Sequence, residues 1–400
     1  MTPPEAGDDR ARVLLSACGY ALAALVAIGA LLLLGLKHRD QPEVVLGQPP
    51  TKAVSKSADS SVPQQDQARR TAARRSEAIP AETEVKAGER RHPFATTSFW
   101  NAPLGADAAP TPSSALFVQA LLAEIQREQA AGTGPTIALD ASSTPVYRAQ
   151  RDQATARVRL DGNLAGASAL TRAFAAVPIP AGAKPSARPA RQLAIWQPST
   201  DKVWELSGAE KRSDGWHAEW GGAIREASKS RGLYTGAAWP GATRNWGAGP
   251  SSLPLIGGTI LLSDLEAGRI DHALAVGLPA VRAGRFAWPA QRTNGTGPLG
   301  SLPAGAHLRL DPALDLDTLQ LPKLARMVAV AAQRYGLVVR EQTDGAVSLF
   351  GENPAQYTDD PYERHLQGRS PQRLLADFPW DRLQVLRMQI CTAAPCPMPS

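Results

Sequence analysis

The hydrophobic pattern divides the chain into an apolar segment, a polar segment and a region of mixed periodicity. Residues 13–36 carry no charge, and a helix of about 36 Å crosses a hydrocarbon core of about 30 Å. The polar segment is rich in Pro, Ala and Ser and lacks the apolar residues that a core requires. The pattern predicts a cytoplasmic tail over 1–12, one transmembrane helix over 13–36, a disordered linker over 37–91 and a folded domain over 92–400.

Within the domain, apolar residues at helical spacing predict helices over 113–129 and 321–335. The other apolar runs are short, are separated by Gly and Pro, and predict strands. Two of these runs, GLVVREQ and AVSLFGE, flank a predicted turn at Asp344–Gly345. Many strands and few helices, without βαβ alternation, indicate a mainly β domain. We expect a β-sandwich or jelly roll with a few peripheral helices, preceded by one transmembrane helix.

Composition narrows the classes of partner. The net charge is +6, but Lys and Arg are scattered among acidic residues, and no spacing typical of a nucleic-acid-binding motif occurs. We therefore expect no nucleic-acid partner. Nothing in the sequence completes a metal site, and we expect neither a metal nor another cofactor.

Cysteine usage points to an oxidising compartment. Cys18 lies in the apolar segment, whereas Cys391 and Cys396 stand close together in CTAAPC and predict a local disulfide. The charges that flank the apolar segment are balanced, so they leave its orientation open. The short tail, the long linker and the Cys pair favour a signal anchor in the inner or cytoplasmic membrane. The domain would then be periplasmic or extracellular.

The segment GRIDHAL is the first candidate for chemistry. Arg269, Asp271 and His272 bring a cation, a carboxylate and an imidazole into four residues. In a strand starting at Ala273, Asp271 and His272 point to opposite faces. His272 is either a base or a ligand-binding group, or a half-buried His bonded to the backbone.

Two carboxylates are the second candidate. Glu205 lies among apolar neighbours in VWEL, and Glu219 lies in WHAEWGG, in a segment expected to pair with the first. On adjacent strands they could form a glycosidase pair, with the separation deciding between retention and inversion. The alternative is that both face solvent.

Tryptophan is the third signal, because flat aromatic faces stack on sugar rings. Trp204, Trp220 and Trp246 are the predicted sugar-binding members of a cluster that core packing also explains. Arg309 and Tyr335 complete the predicted substrate-binding set. In a lyase, His272 or Tyr335 would abstract a proton while Arg269 or Arg309 neutralises a uronate.

Several motifs together resemble a family of exported bacterial proteins of unassigned function. They are, in order, SFWNAPL at 98–104, VPIPAGAKP at 177–185, VWEL at 203–206, SLPLIGG at 252–258, GRIDHAL at 268–274, GAHLRL at 305–310 and YGLVV at 335–339. Members of that family often carry an acidic residue and a His where this chain has Arg191 and Gln192. The resemblance implies export and a β-rich domain, and it supplies no reaction.

These observations predict a membrane-anchored, exported domain that acts on or binds an envelope or extracellular polysaccharide. The first hypothesis is a glycoside hydrolase or lyase with Glu205, Glu219, His272, Arg269 and Asp271 as working residues. The second is a non-catalytic glycan-binding or envelope-organising module, which predicts a shallow aromatic platform without paired carboxylates. In both hypotheses, residues 13–36 anchor the protein in the membrane.

Overall fold

Apolar runs that are buried on both sides form the centre of the folded region. The computed structural model describes residues 90–162, 168–242 and 246–398. The predicted tail, the membrane helix and all but the last two residues of the predicted linker lie outside these ranges. No helix within the described ranges combines the length and apolarity needed to cross a membrane. Arg90 and Arg91, the end of the predicted linker, form ion pairs with Asp201 and Asp271.

The helices of the described residues are mostly short. In chain order they are α1 (Ser114–Ala131), α2 (Ser168–Ala173), α3 (Leu262–Ala267), α4 (Lys323–Arg334), α5 (Glu363–Leu366) and α6 (Pro371–Leu374).

The strands are short as well. In chain order they are β1 (Thr136–Ala138), β2 (Val146–Arg148), β3 (Val158–Leu160), β4 (Leu193–Gln197), β5 (Lys202–Ser207), β6 (Glu210–Arg212), β7 (Gly215–Ala218), β8 (Trp220–Arg225), β9 (Leu274–Leu278), β10 (Phe286–Ala287), β11 (His307–Leu310), β12 (Leu337–Gln342), β13 (Ser348–Phe350), β14 (Leu383–Val385) and β15 (Ile390–Cys391).

The sheet-rich prediction is confirmed, with several sheets and few helices. The largest sheet has the order β1-β13-β9-β12-β11-β14, and smaller sheets have the orders β2-β4-β5-β8, β3-β7-β6 and β10-β15. The largest sheet is mixed, because β9 runs parallel to β12 and antiparallel to β13. Strands β12 and β13, which flank the predicted turn at Asp344–Gly345, therefore do not form a hairpin with each other. The apolar strand β9 lies between them and takes the edges that a hairpin would have paired.

The sequence of strand β9 is almost continuously apolar because both of its faces are buried. Ala275 belongs to the core that contains the sheet β2-β4-β5-β8. Leu274 and Val276, which point to the other side, belong to the core that contains α4 and α1. A strand that is buried on both faces has no place for alternating polar residues, and such strands are typical of parallel pairs.

The two predicted helices are present with shifted ends. Helix α4 begins at Lys323 instead of residue 321, because the residue before a proline is disfavoured in the helical conformation and Pro322 itself has a non-helical ψ of 150°. Its apolar side, including Leu324 and Val328, is buried against the largest sheet. Helix α1 runs two residues further than predicted and ends at Gly132, which has a left-handed φ of 70°.

Buried Glu128 joins α1 to the largest sheet, and its pKa makes stability depend on pH. One carboxylate oxygen accepts the N–H of Val347 at 2.8 Å, while the other has no hydrogen-bond partner in the described ranges. Burial raises the pKa of Glu128 from 4.5 to about 7, although the Val347 N–H works in the opposite direction. Between these values the folded state binds more protons than the unfolded state. Stability from this group therefore falls as pH rises.

We expect Glu128→Gln to remove this loss, because the amide keeps an acceptor for Val347 and carries no charge. The unfolding free energy of the variant minus that of the wild type should be on the order of 1–2 kcal/mol larger at pH 7.5 than at pH 5. Urea denaturation at both pH values measures the difference. The exposed Glu363→Gln in α5 is the control. Parallel pH profiles for wild type and Glu128→Gln would contradict the assignment.

Candidate functional site

A tight reversal of the chain builds the candidate site. Helix α3 has only six residues and ends at Gly268, which has a left-handed φ of 66°. The N–H of the next residue, Arg269, donates to the carbonyl of Asp264 at 3.2 Å, which is the bond that closes a helix after such a glycine. The chain then runs back past the start of α3. His272 thereby comes beside Asp264, eight residues earlier.

Two backbone hydrogen bonds fix His272 at the entrance to β9. The N–H of Ala273 donates to the carbonyl of Trp100 at 2.6 Å, and the N–H of Leu274 donates to the carbonyl of Gly336 at 3.0 Å. The two partners belong to the segments SFWNAPL and YGLVV. The position of His272 is thus set by two segments that are distant in sequence.

Three side chains meet at this point, and we call His92, Asp264 and His272 the His–Asp centre. His92 Nε2 lies 3.1 Å from Asp264 Oδ1, and His272 Nε2 lies 3.1 Å from Asp264 Oδ2. The two imidazole rings are 4.3 Å apart between centroids. Asp264 and His272 are buried, and 15% of the His92 side chain is exposed. One ligand atom from each residue lies within 4.8 Å of the others, so the centre could hold a metal ion.

Asp264 carries a charge in the protein interior. Burial works to raise its pKa, but the facing His92 and His272 outweigh burial and hold the pKa of this carboxyl well below its usual range. The N–H of Leu261 also donates to Oδ2 at 3.0 Å. The carboxylate therefore fixes the first turn of α3 as well as both imidazoles.

Both nitrogens of His272 are engaged. Nδ1 lies 2.8 Å from the carbonyl oxygen of Ala273, which can only accept, so Nδ1 carries a proton. Nε2 faces Asp264. This geometry leaves no nitrogen to abstract a substrate proton, and it matches the backbone-bonded alternative that the sequence offered.

His92 is the more accessible imidazole. Burial lowers its pKa, and the charge of Asp264 offsets this only in part. His92 Nε2 and Asp264 Oδ1 face each other, yet neither atom has a hydrogen-bond partner in the described part of the chain. The close approach of the two atoms is therefore a contact without the alignment of a hydrogen bond.

Around the centre lie Arg91, Arg269, Asp271 and Tyr335, which we call the outer ring. Arg91 contacts Asp271 and lies 3.6 Å from Asp264 Oδ1, and Arg269 Nε donates to Asp271 at 2.7 Å. Arg269 is 65% exposed and Asp271 is 33% exposed. Burial works to raise the pKa of Asp271, but the hydrogen bond from Arg269 and the charge of Arg91 lower it.

Tyr335 is the buried member of the outer ring and lies within electrostatic range of Asp271 and Arg269. Burial raises the pKa of Tyr335, with smaller effects from Arg334, Asp271 and Arg269. Its hydroxyl thus stays protonated at neutral pH. The structure therefore brings together four of the predicted residues, His272, Arg269, Asp271 and Tyr335.

Glu205 lies elsewhere and is fully buried. Oε1 accepts the N–H of Ile256 at 2.8 Å, and Oε2 accepts the N–H of Leu255 and the hydroxyl of Tyr234, both at 2.9 Å. Burial raises its pKa, and these donors work against that shift. Opposite Glu205 in β8 stands Gly222, where a Cβ would collide with the Tyr234 ring. These three hydrogen bonds hold the carboxylate, and its burial leaves no side accessible to a substrate.

Glu219 occupies a different environment from Glu205. It falls between β7 and β8, where the chain passes from one sheet to another, and its side chain is 67% exposed. Arg191 donates to it at 2.8 Å. The structure does not bring the two predicted carboxylates together in one cleft.

The predicted aromatic platform is mostly core. Trp204 and Trp246 are buried, and the indole N–H of Trp204 donates to the carbonyl of Ala173 at 2.9 Å. Trp220 is half-buried and packs against the same core. Arg309 in β11 donates to Gln384 at 2.9 Å. Core packing, the alternative explanation, accounts for Trp204 and Trp246.

Sequence reasoning missed His92, Asp264 and Arg91. His92 and Arg91 fall at the predicted boundary between linker and domain, and Asp264 sits within an apolar run. No standard ligand spacing links these residues to His272. Only the tertiary structure connects them.

Comparison of the chain with family models, curated proteins and solved structures returns no match.

The environment of Glu205 predicts a structural role for it. In Glu205→Gln, the amide nitrogen has to face at least one of the three donors. A buried donor without an acceptor costs about 1–3 kcal/mol, so we expect a loss of about 2 kcal/mol of unfolding free energy. Urea denaturation measures the loss, with the exposed Glu219→Gln as control. Equal stability of the two variants would contradict a structural role for Glu205.

Proposed function

We propose that the chain is a membrane-anchored, exported protein whose domain acts on a carboxylate-bearing polysaccharide by lyase chemistry. The observation that carries the proposal is the outer ring. It combines the exposed cation Arg269 with the protonated hydroxyl of the buried Tyr335, beside the buried charges of the His–Asp centre. A uronate unit offers both groups a partner.

Lyase chemistry assigns distinct roles to the two residues. Arg269 binds the uronate carboxylate and stabilises the negative charge that develops when the neighbouring C–H loses its proton. A water molecule accepts that proton, and the electron pair of the C–H bond forms a C=C bond. Tyr335 donates its hydroxyl proton to the glycosidic oxygen as the C–O bond breaks, and it regains a proton from solvent. Asp271 orients Arg269 through the 2.7 Å hydrogen bond.

The geometry favours elimination over hydrolysis by a carboxylate pair. A glycosidase pair needs two carboxyl groups facing one substrate. Glu205 is buried and bonded to three donors, whereas Glu219 is exposed and paired with Arg191. Neither arrangement leaves room for a shared glycosidic bond.

Export is supported by the Cys pair. Cys391 and Cys396 form a disulfide with an S–S distance of 2.09 Å, and such bonds persist in oxidising compartments. With the apolar segment 13–36 as anchor, the domain would act in the periplasm or outside the cell. We further propose membership of the exported family that the motifs resemble. The sheets that share the core around Trp204 and Ala275 would be the layers of a sandwich.

A second candidate, a glycan-binding module, is favoured by a groove away from the His–Asp centre. Polar and aromatic residues line it, among them Gln153, Arg157, Lys211, Asp214 and Trp216. Such a mixture suits hydrogen bonding to hydroxyl groups together with contact to a sugar ring. This candidate predicts binding without cleavage.

The test is incubation of the full-length protein in detergent with polyuronates and with neutral polysaccharides. We expect an unsaturated product, seen by its ultraviolet absorbance, from polyuronates alone. Tyr335→Phe should lower kcat by about 100-fold or more, because it removes the proton-transfer group. Arg269→Gln should raise KM, and the exposed Arg225→Gln is the matched control.

The outcomes separate the hypotheses. Binding without cleavage would overturn the lyase proposal and leave the binding module. Cleavage without an unsaturated product would indicate hydrolysis. Cleavage that survives in Tyr335→Phe would refute the role assigned to that residue.

A further inference from the structure

We propose that the His–Asp centre binds a divalent transition-metal ion, with zinc as its best fit. The ligands are Nε2 of His92, Nε2 of His272 and the carboxylate of Asp264. This inference goes beyond the proposed function, because it concerns ion binding and does not depend on any polysaccharide. The sequence alone had led us to expect no metal.

The donor set and its spacing fit zinc. Two imidazoles and one carboxylate supply three protein ligands, and a tetrahedral ion then keeps a fourth position for water or substrate. Bonds of about 2.0–2.2 Å in a tetrahedral arrangement place neighbouring ligand atoms about 3.2–3.6 Å apart. Each imidazole Nε2 here lies 3.1 Å from a carboxylate oxygen, and the three ligand atoms lie within 4.8 Å of one another. Small rotations of the side chains therefore suffice.

The surroundings of His272 are those of a metal ligand. Its Nδ1–H points at the carbonyl of Ala273, at 2.8 Å. Imidazoles that bind a metal through one nitrogen usually donate the N–H of the other nitrogen to such an acceptor. The other ring nitrogen, Nε2, faces Oδ2 of Asp264 at 3.1 Å. A metal ion bound there would take the place of the proton that a hydrogen bond between these two atoms requires.

Two orphaned atoms provide independent support. His92 Nε2 and Asp264 Oδ1 are buried and have no hydrogen-bond partner within the described ranges. Buried polar atoms without partners are rare and costly. Both belong to the proposed ligand set, and one ion would satisfy both lone pairs.

Arg91 is the group that opposes an ion. Its Nη1 lies 3.6 Å from Asp264 Oδ1, but the same guanidinium contacts Asp271. Arg91 can keep Asp271 when an ion occupies Asp264. The partly exposed side chains of His92 and Arg91 mark the route by which the ion and a fourth ligand would enter.

The test uses the full-length protein in detergent, freed of metal by a chelator and titrated with Zn²⁺ by calorimetry. We expect one ion per chain and a Kd of about 1 µM or tighter. Cobalt(II) should give the intense visible absorption of a four-coordinate site. His92→Gln should weaken Zn²⁺ binding by at least about 100-fold, because it removes a ligand, a larger change than loss of a supporting residue.

The control is His217→Gln, since His217 also lies 3.0 and 3.1 Å from the carboxylates of Asp161 and Asp214 but belongs to another sheet. It should bind Zn²⁺ as the wild type does. Absence of Zn²⁺ binding by the wild type, or unchanged binding by His92→Gln, would overturn the proposal. If Asp264→Asn fails to fold, the partly exposed His92 still provides the decisive variant. If the protein binds zinc but cleaves no polysaccharide, the proposed lyase function is refuted and the zinc proposal stands.

Discussion

The site depends on one constraint, the cost of keeping the ionised carboxylate of Asp264 in the protein interior. A buried charge is tolerated only when donors and opposite charges surround it. Here they come from the start of the domain through Arg91 and His92, from α3 through the N–H of Leu261, and from the entrance of β9 through His272. These three segments thus meet at one carboxylate.

A second buried carboxyl group, that of Glu205, is also held by hydrogen bonds from a segment distant in sequence. Glu205 binds the backbone of Leu255 and Ile256, and the buried guanidinium of Arg340 donates to the carbonyl of the same Leu255 at 2.9 Å. Strand β5 is thereby tied through the SLPLIGG loop to β12. A carboxylate flanked by aromatic residues in a strand can thus serve architecture as readily as catalysis, and its hydrogen bonds distinguish the two roles.

The two proposals rest on two neighbouring groups of residues, the His–Asp centre and the outer ring. Inside, the ligands face one another and suit an ion. Around them, Arg269 is exposed, whereas Tyr335 is buried within electrostatic range of Arg269 and Asp271. The aromatic residues that suggested sugar stacking, Trp204 and Trp246, belong mainly to the core. The proposal of a polysaccharide substrate therefore rests on the charged groups of the outer ring and not on the aromatic residues.

The sequence by itself determined the sheet-rich character, both long helices and the closeness of Cys391 to Cys396, because each follows from local periodicity or short separation. It also singled out His272 and Arg269, which lie in one motif. Tertiary structure alone decided that β9 separates β12 from β13 and that His92 meets Asp264. These pairings join residues far apart in the chain. They are selected by burial on both faces of a strand and by the need to neutralise a buried charge, and neither leaves a periodic signal.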